Sequence, residues 1–542
     1  MADATEVIQG DGDGKIQSSA TVIAAAAGKA AASKGKAKEI GENLKKYEQL
    51  FGADEDSFPQ PTTTRKELWS YYLYYNGDNG VGPGSYSQTL FQSALTAAGH
   101  DPTLSPVTAG NCGSGACVVP WGKGTRSVAS VVLIANGICF AVMTVMFVGL
   151  GSAADYGSFG RWLLLSLTSV CWCFQYGMMA IRHPSQWPTA MAIYIISYIA
   201  YGATLVFYAA LFPRLARFMP HVRKAREEDL KEGRISQAEY EKIESLEKNH
   251  ISNISTAHSN IDWVILGVWW FLFQQPRPGP KIPKGSNYAT IGWKQVLLAI
   301  KEVRHLPQTF TYLVAFFLLA DGLNTTGTLV SIIQANIVEF SFLQITYLGL
   351  AQAACSISST FGFWYVQKHF GIRTKPMFIV TNFFSVFIPF YGMLGLWTDR
   401  VGFHHRRDFW IYNVLFGLFQ APYYAYAQTM MSEVTPTGYE NMFFGLFGIT
   451  NRASSIIGPN VVQAIINASN NNWLGFPFLF SICACASIVI WFVDVEKGRE
   501  NCRVYVEQRK LLRVARETGM TTDEIIEGVA TGELGAEPTV KD

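Results

Sequence analysis

The sequence predicts an all-α polytopic membrane protein, a bundle of two helical halves with about eleven spans. Nine uninterrupted apolar runs, at 127–151, 160–180, 189–212, 311–337, 342–366, 377–397, 409–431, 442–467 and 473–493, approach the roughly 20 residues that carry a helix across about 30 Å of hydrocarbon. None alternates with period two, which excludes a β-barrel. Composition agrees, with 49% hydrophobic and 14% aromatic residues against 15% charged. The net charge of +2 says nothing about nucleic acid; the apolar runs make a lipid bilayer the expected surroundings, with no nucleic-acid partner.

Residues 1–66 open with an Ala/Gly/Ser/Lys-rich stretch that lacks the apolar core of a signal peptide. It is expected as a disordered cytosolic tail, with the first membrane helix directing insertion. That first span is expected over 67–98, bending at Gly77, Gly80, Gly82, Pro83 and Gly84, because WSYYLYY before them and TLFQSALTAA after them suit a helix. Three further spans complete 67–212, and 213–260 is expected as a charged cytosolic loop. The apolar run 261–275 covers only about 22 Å at helical rise, short of a bilayer. With the basic stretch after it, it makes a linker at 261–310, and six spans fill the C-terminal half, 311–493. A charged cytosolic tail, 494–542, ends the chain.

Basic residues next to spans orient the bundle. Arg214, Arg217, Arg223, Lys224 and Arg226 follow the 189–212 run, and Lys368, Arg373 and Lys375 follow 342–366, so these loops and both termini are expected in the cytosol. One place breaks the alternation. If 261–275 crosses alone, Arg277, Lys281, Lys284, Lys294, Lys301 and Arg304 lie on the wrong side, so either the segment dips without crossing or a partner helix is absent.

Charged and polar groups inside spans carry the functional signal, because hydrocarbon tolerates them only beside a cavity or a partner. Asp78 lies near Asn76 in YNGDNG, and Asp321 near Asn324 in LADGLNTTG. Each acid falls in the first helix of its half, the symmetry of carriers whose substrate site lies between repeats. The plainer reading is that both acids bond helix ends exposed by neighbouring glycines. Arg452 sits about ten residues inside 442–467, where its fork suits a substrate carboxylate or an ion pair with Asp321 or Glu433. Tyr71, Tyr72, Tyr74, Tyr75, Tyr423, Tyr424 and Tyr426 cluster as packing, with one or two free to line a pathway.

Six cysteines inside helices behave as small hydrophobes and give no metal-site spacing. Cys112 and Cys117 flank GSGA in a non-cytosolic loop, where a disulfide and two free thiols are both open readings. Asn467-Ala468-Ser469 is a glycan acceptor pattern on the same side. No Walker motif, nucleophile elbow, paired metal-binding histidines or dinucleotide loop occurs in a credible context, so neither an enzyme nor a cofactor is expected.

In GLGSAADYGSFGRW, Gly151, Asp155 and Arg161 resemble the Gly-Asp-Arg loop signature of the major facilitator superfamily, whose acid and base lock two helices on the cytosolic side. With ELWSYYLYYNGDNGVGPGSYSQTLFQSAL, WGKGTRSVASVVLIANG, FPRLARFMPHVR, GVWWFLF and GLFGITNRASSIIGPNVVQ, the chain resembles the autophagy-related vacuole effluxers of fungi over nearly 65–496. The resemblance implies a major-facilitator-like carrier of twelve helices in the vacuole membrane that releases amino acids after autophagic breakdown. Large neutral amino acids such as leucine, isoleucine and tyrosine fit the Phe, Tyr and Leu lining, with proton linkage left open. It also implies that a fifth helix is missing, because this chain passes from Ser259 almost directly to Trp263, as a truncated isoform or a gene-model error would. A non-transporting receptor or scaffold is the rival class, and the oligomeric state is not legible.

Overall fold

The computed structural model describes residues 60–79, 87–101, 117–258, 267–277, 287–288, 291–293, 306–337, 340, 342–469 and 471–518. The bundle is one compact unit, Gln60–Cys502. Within the bundle, the first span is two helices, α1 (Arg65–Asn79) and α2 (Gln88–Ala98). The glycines between them, 80–86, lie outside the described residues. A small antiparallel hairpin, β1 (Val118–Trp121) and β2 (Gly124–Ser127), precedes α3 (Val128–Gly151), whose first turn is capped by the Ser127 hydroxyl. Then come α4 (Phe159–Gly177), α5 (Trp187–Ala209), the short α6 (Phe212–Arg217) and α7 (Pro220–Lys224), α8 (Gln237–His258) and the stub α9 (Val268–Phe273).

The C-terminal half holds α10 (Pro307–Ile337), α11 (Phe342–Phe370), α12 (Thr374–Leu394), α13 (Arg406–Glu433), α14 (Glu440–Ser469) and α15 (Gly475–Phe492). A polar helix, α16 (Val495–Thr518), follows where a charged tail was expected. Six described helical stretches are long and apolar enough to cross a bilayer. The others in this half, α11, α13 and α14, are as long but carry polar residues turned inward. In α12, Thr381, Asn382 and Ser385 are buried while Phe383 is 65% exposed and Val380, Phe384 and Phe387 are also exposed. Apolar outside and polar inside is the polarity a lipid solvent imposes, because only other helices can satisfy the polar groups.

Two expectations are corrected. Residues 213–260 are not a loop: Val222, Ala225 and Tyr240 form a small core with Leu230 and Ile243, and α8 packs on α1, α11 and α13. Hydropathy overlooks α8 because its buried face is Asn249, Ser252, Asn253 and Thr256 rather than Leu or Val. After α8 ends at His258, residues 259–266, where the shortfall was expected, lie outside the described residues, and the described part of α9 is Val268–Phe273. Residues 60–66, assigned to the disordered tail, are ordered, and Thr63 bonds the carbonyls of Leu215 and Phe218. The linker after α9 also packs, with Tyr288 stacked on Phe159 at 4.4 Å.

Where helices approach most closely, glycine allows it. A Cβ on Gly417 of α13 would lie 2.4 Å from the Gln352 carbonyl oxygen of α11, whereas one on Gly362 would meet nothing within 4 Å. Gly417→Ala is therefore expected to destabilise the detergent-solubilised protein by about 1–3 kcal/mol through overpacking, despite the better helix propensity of alanine. Gly362→Ala should leave thermal unfolding unchanged or slightly improved, and equal losses for the two would contradict the α11–α13 packing.

Candidate functional site at the Asp155 end of the bundle

The chain leaves α3 through a buried turn, Ser152–Asp155, and reverses at Gly157, whose φ of +56° is the left-handed region glycine tolerates. This aims the Asp155 carboxylate at the start of α14 in the opposite half. It accepts the Asn441 backbone N–H at 3.0 Å, the Asn441 side-chain amide at 2.9 Å and the Met442 N–H at 3.1 Å. The first N–H groups of a helix have no partner within it and carry partial positive charge, so an acid from one half satisfies a helix of the other. Gly151 makes room, since a Cβ there would lie 3.2 Å from the Asn441 carbonyl oxygen.

A charge ladder surrounds this cap. Arg214 lies 3.5 Å from Asp155 and 3.4 Å from Glu440, Arg217 3.4 Å from Glu440 and 3.7 Å from Glu244, and Lys248 2.9 Å from Glu244. Asp155, Glu440 and Glu244 thus balance Arg214, Arg217 and Lys248. A buried charge is tolerated when matched in this way, and removing one partner commonly costs about 3–5 kcal/mol.

The other half has a matching junction. Between α11 and α12 the chain turns at Gly371, φ +59°, close to that of Gly157. The Thr374 hydroxyl donates to Glu433 at 2.5 Å and accepts the Asn249 amide of α8 at 2.7 Å, while the Ser245 hydroxyl donates to Glu433. Arg499 completes this junction, 3.1 Å from Glu433 and 3.3 Å from Glu241 of α8. α3–α14 and α8–α13 contacts are therefore both pinned by polar groups at this end.

The predicted gate residues separate. Gly151 and Asp155 are in the junction. Arg161 is not paired with Asp155; it donates to the Phe271 carbonyl at 3.3 Å. Asp321 is buried where α10 crosses α14 and accepts the Gly458 N–H at 2.8 Å. Gly458 precedes Pro459, which interrupts the ladder of α14. Asn324 accepts the Tyr424 hydroxyl at 3.1 Å. Asn76, Asp78, Arg452 and Asn467 fall within α1 and α14, but their side chains lie outside the described ones, as does Cys112 altogether. Cys117 is disulfide-bonded. Among the described residues no group of acids, histidines and cysteines is arranged to hold a metal.

Sequence reading used Arg214 and Arg217 only as orientation signals and passed over Glu440, Glu244, Lys248, Asn249 and Thr374. The one available hint was that Arg214 and Arg217 lie three apart right after a span, on one face of a helical turn.

Comparison with known proteins decides the family. A family profile described as "Vacuole effluxer Atg22 like" matches residues 63–262 and 258–503. The chain belongs to this family. Autophagy-related protein 22 of Chaetomium globosum is 22% identical over 88% of this chain and 87% of its own length. That of Gibberella zeae is 23% identical over 81% and 80%, and that of Cryptococcus neoformans 29% over 45% and 46%. The human organic anion transporter MFSD10 (TETRAN) shares the fold, with a TM-score of 0.52 at 13% identity, covering 80% of this chain and all of that one. The effluxer family and the transporter fold together make this a multi-pass vacuolar membrane transporter.

Two outcomes follow for the junction. Glu440→Gln leaves Arg214 and Arg217 under-compensated and should cost about 3–5 kcal/mol. Asp155→Asn should cost less, because its amide oxygen can still accept from Asn441; thermal unfolding ranks the two, and equal small effects would show that the ladder does not hold the halves. The second concerns His221, 3.2 Å from Glu247. Its hydrogen bond to Glu247 raises the imidazole above its ordinary value. A raised cation contributes fully below about pH 6.5 and is lost as pH rises through the shifted value. Unfolding temperature should fall over that rise in the parent and less in His221→Gln; identical profiles would remove the pair from the pH response.

Proposed function

We propose that this family member exports large neutral amino acids, such as leucine, isoleucine and tyrosine, from the vacuole lumen to the cytosol. Both termini and the Asp155 end then face the cytosol. The observation that carries the reading is the pinning of α3 to α14 and of α8 to α12 and α13 at one end by matched, buried polar junctions. Such junctions are bistable contacts: made, they close that end around a central site, and broken, they let the halves part. The Asp321–Gly458 bond, beside the kink at Pro459, lies where the bundle would flex. A proton on Asp321 weakens that acceptor, which gives export a physical route to proton linkage. Arg452 is assigned to the substrate carboxylate, with Asp78 and Asn76 on the facing half and Asn324 beside Tyr424.

One observation supports a second reading. The two family matches overlap at 258–262, where α8 ends, so the family profile is matched in two pieces rather than as one continuous run. A carrier lacking half of its fifth and sixth helices could be an inactive isoform or a non-transporting scaffold. Efflux of labelled leucine from preloaded vacuole-derived vesicles separates the readings, using the parent chain and one in which the corresponding stretch of a relative is inserted after His258. Export by either chain upholds the substrate class, and export by neither overturns it. In whichever chain is active, Asp321→Asn should flatten the pH dependence of transport; an unchanged profile would leave Asp321 a structural acceptor.

A further inference from the structure

A cavity of about 150 Å³ opens beside the junction, between the start of α4, the end of α5 and the chain leaving α9. Its walls include Arg161, Trp162, Trp270, Gln274, Gln275 and Arg277, and it reaches Arg214 and Asn441 of the junction. A water occupies roughly 30 Å³, so the space admits a group of several heavy atoms.

The polar chemistry of the wall is unfinished. Trp270 is 1% exposed and its indole N–H has no hydrogen-bond partner. The Arg277 side chain is 9% exposed, its fork is committed to Glu67 and Thr63, and its Nε–H is unpartnered. The amide oxygens of Gln274 and Gln275 are buried without partners as well, and a half-turn of either amide presents N–H instead. Acids near the cavity are engaged: Glu67 with Arg277, and Asp155 and Glu440 with Arg214. Arg161 has no ion pair among the described residues, and its one described hydrogen bond goes to a carbonyl. The unmatched charge is positive, and two of the idle groups, the indole N–H and the Arg277 Nε–H, are obligate donors. A buried donor left idle costs about 1–3 kcal/mol, and an acceptor of opposite charge removes that cost.

We propose that this cavity is a binding site for a phosphate-type oxyanion, held by Arg161, the Trp270 indole N–H and the Arg277 Nε–H. The chemistry fits a free phosphate or the headgroup of an anionic phospholipid. Trp162, Trp269 and Leu272 at the rim are 60%, 42% and 68% exposed, as side chains at a membrane interface are. The sequence after Arg277 adds Lys281, Lys284, Lys294, Lys301 and Arg304 against the single acid Glu302, a composition that attracts an anionic leaflet. Because Arg214 and Asn441 belong to both cavity and junction, a bound oxyanion would favour the closed arrangement of this end. The assignment holds whether or not the chain transports amino acids.

The test uses the full chain, purified in detergent and in nanodiscs. In detergent, sodium phosphate is compared with sodium chloride at equal ionic strength for its effect on thermal unfolding. In nanodiscs, retained lipid is counted by native mass spectrometry with phosphatidylcholine alone and with a phosphatidylinositol phosphate added. Arg161→Gln removes the charge, and Trp270→Phe removes the N–H while leaving an aromatic ring to pack edge-on against Tyr71. Phosphate-dependent stabilisation identifies a free oxyanion site, retained anionic lipid identifies a headgroup site, and either should weaken about tenfold in each variant. Binding of neither ligand overturns the assignment, as does binding that both variants leave untouched.

Discussion

Asp155 governs this structure because it caps a helix that is not its own. Its carboxylate, itself buried, satisfies the first N–H groups of α14 across the interface between halves. Placing an acid there next to Glu440 would be repulsive without Arg214 and Arg217, so the cap requires the ladder, and the ladder requires α6 and α8 to bring their charges into register. One helix-end requirement thus organises five elements. A junction of this kind is strong when complete and weak when one member is missing, which suits a contact that must open and close.

The second junction shares with the first a single backbone feature and little sequence. Gly157 and Gly371 share the left-handed conformation, and each turn presents polar atoms to a helix of the opposite half. The partners differ, a carboxylate on backbone N–H groups in one and a hydroxyl on an amide and an acid in the other. Hydroxyl and amide groups do the same geometric work with less charge, which a search for charged motifs does not register.

The N-terminal half is where chain length and fold disagree. α8 occupies a full place against α1, α11 and α13, while α9 contributes one and a half turns packed on α1. Both are held at the Asp155 end, α8 by Glu244, Ser245 and Asn249 and α9 by the Gln275 N–H and Arg277 bonded to Glu67.

Residue order alone determined the membrane class and the C-terminal spans to within a few residues, because hydrophobic length is a local property set by bilayer thickness. It also singled out Asp155 and Asp321, since an acid in an apolar run is conspicuous in one dimension. Only the tertiary structure decided their partners. Asp155 meets Asn441 and Met442 nearly three hundred positions later, Arg161 turns to the Phe271 carbonyl instead, and Asp321 serves Gly458. α8 was hidden for a related reason. Its buried face is amide and hydroxyl, and such a face is stable only because neighbouring helices supply its hydrogen bonds, a fact that no window along the chain contains.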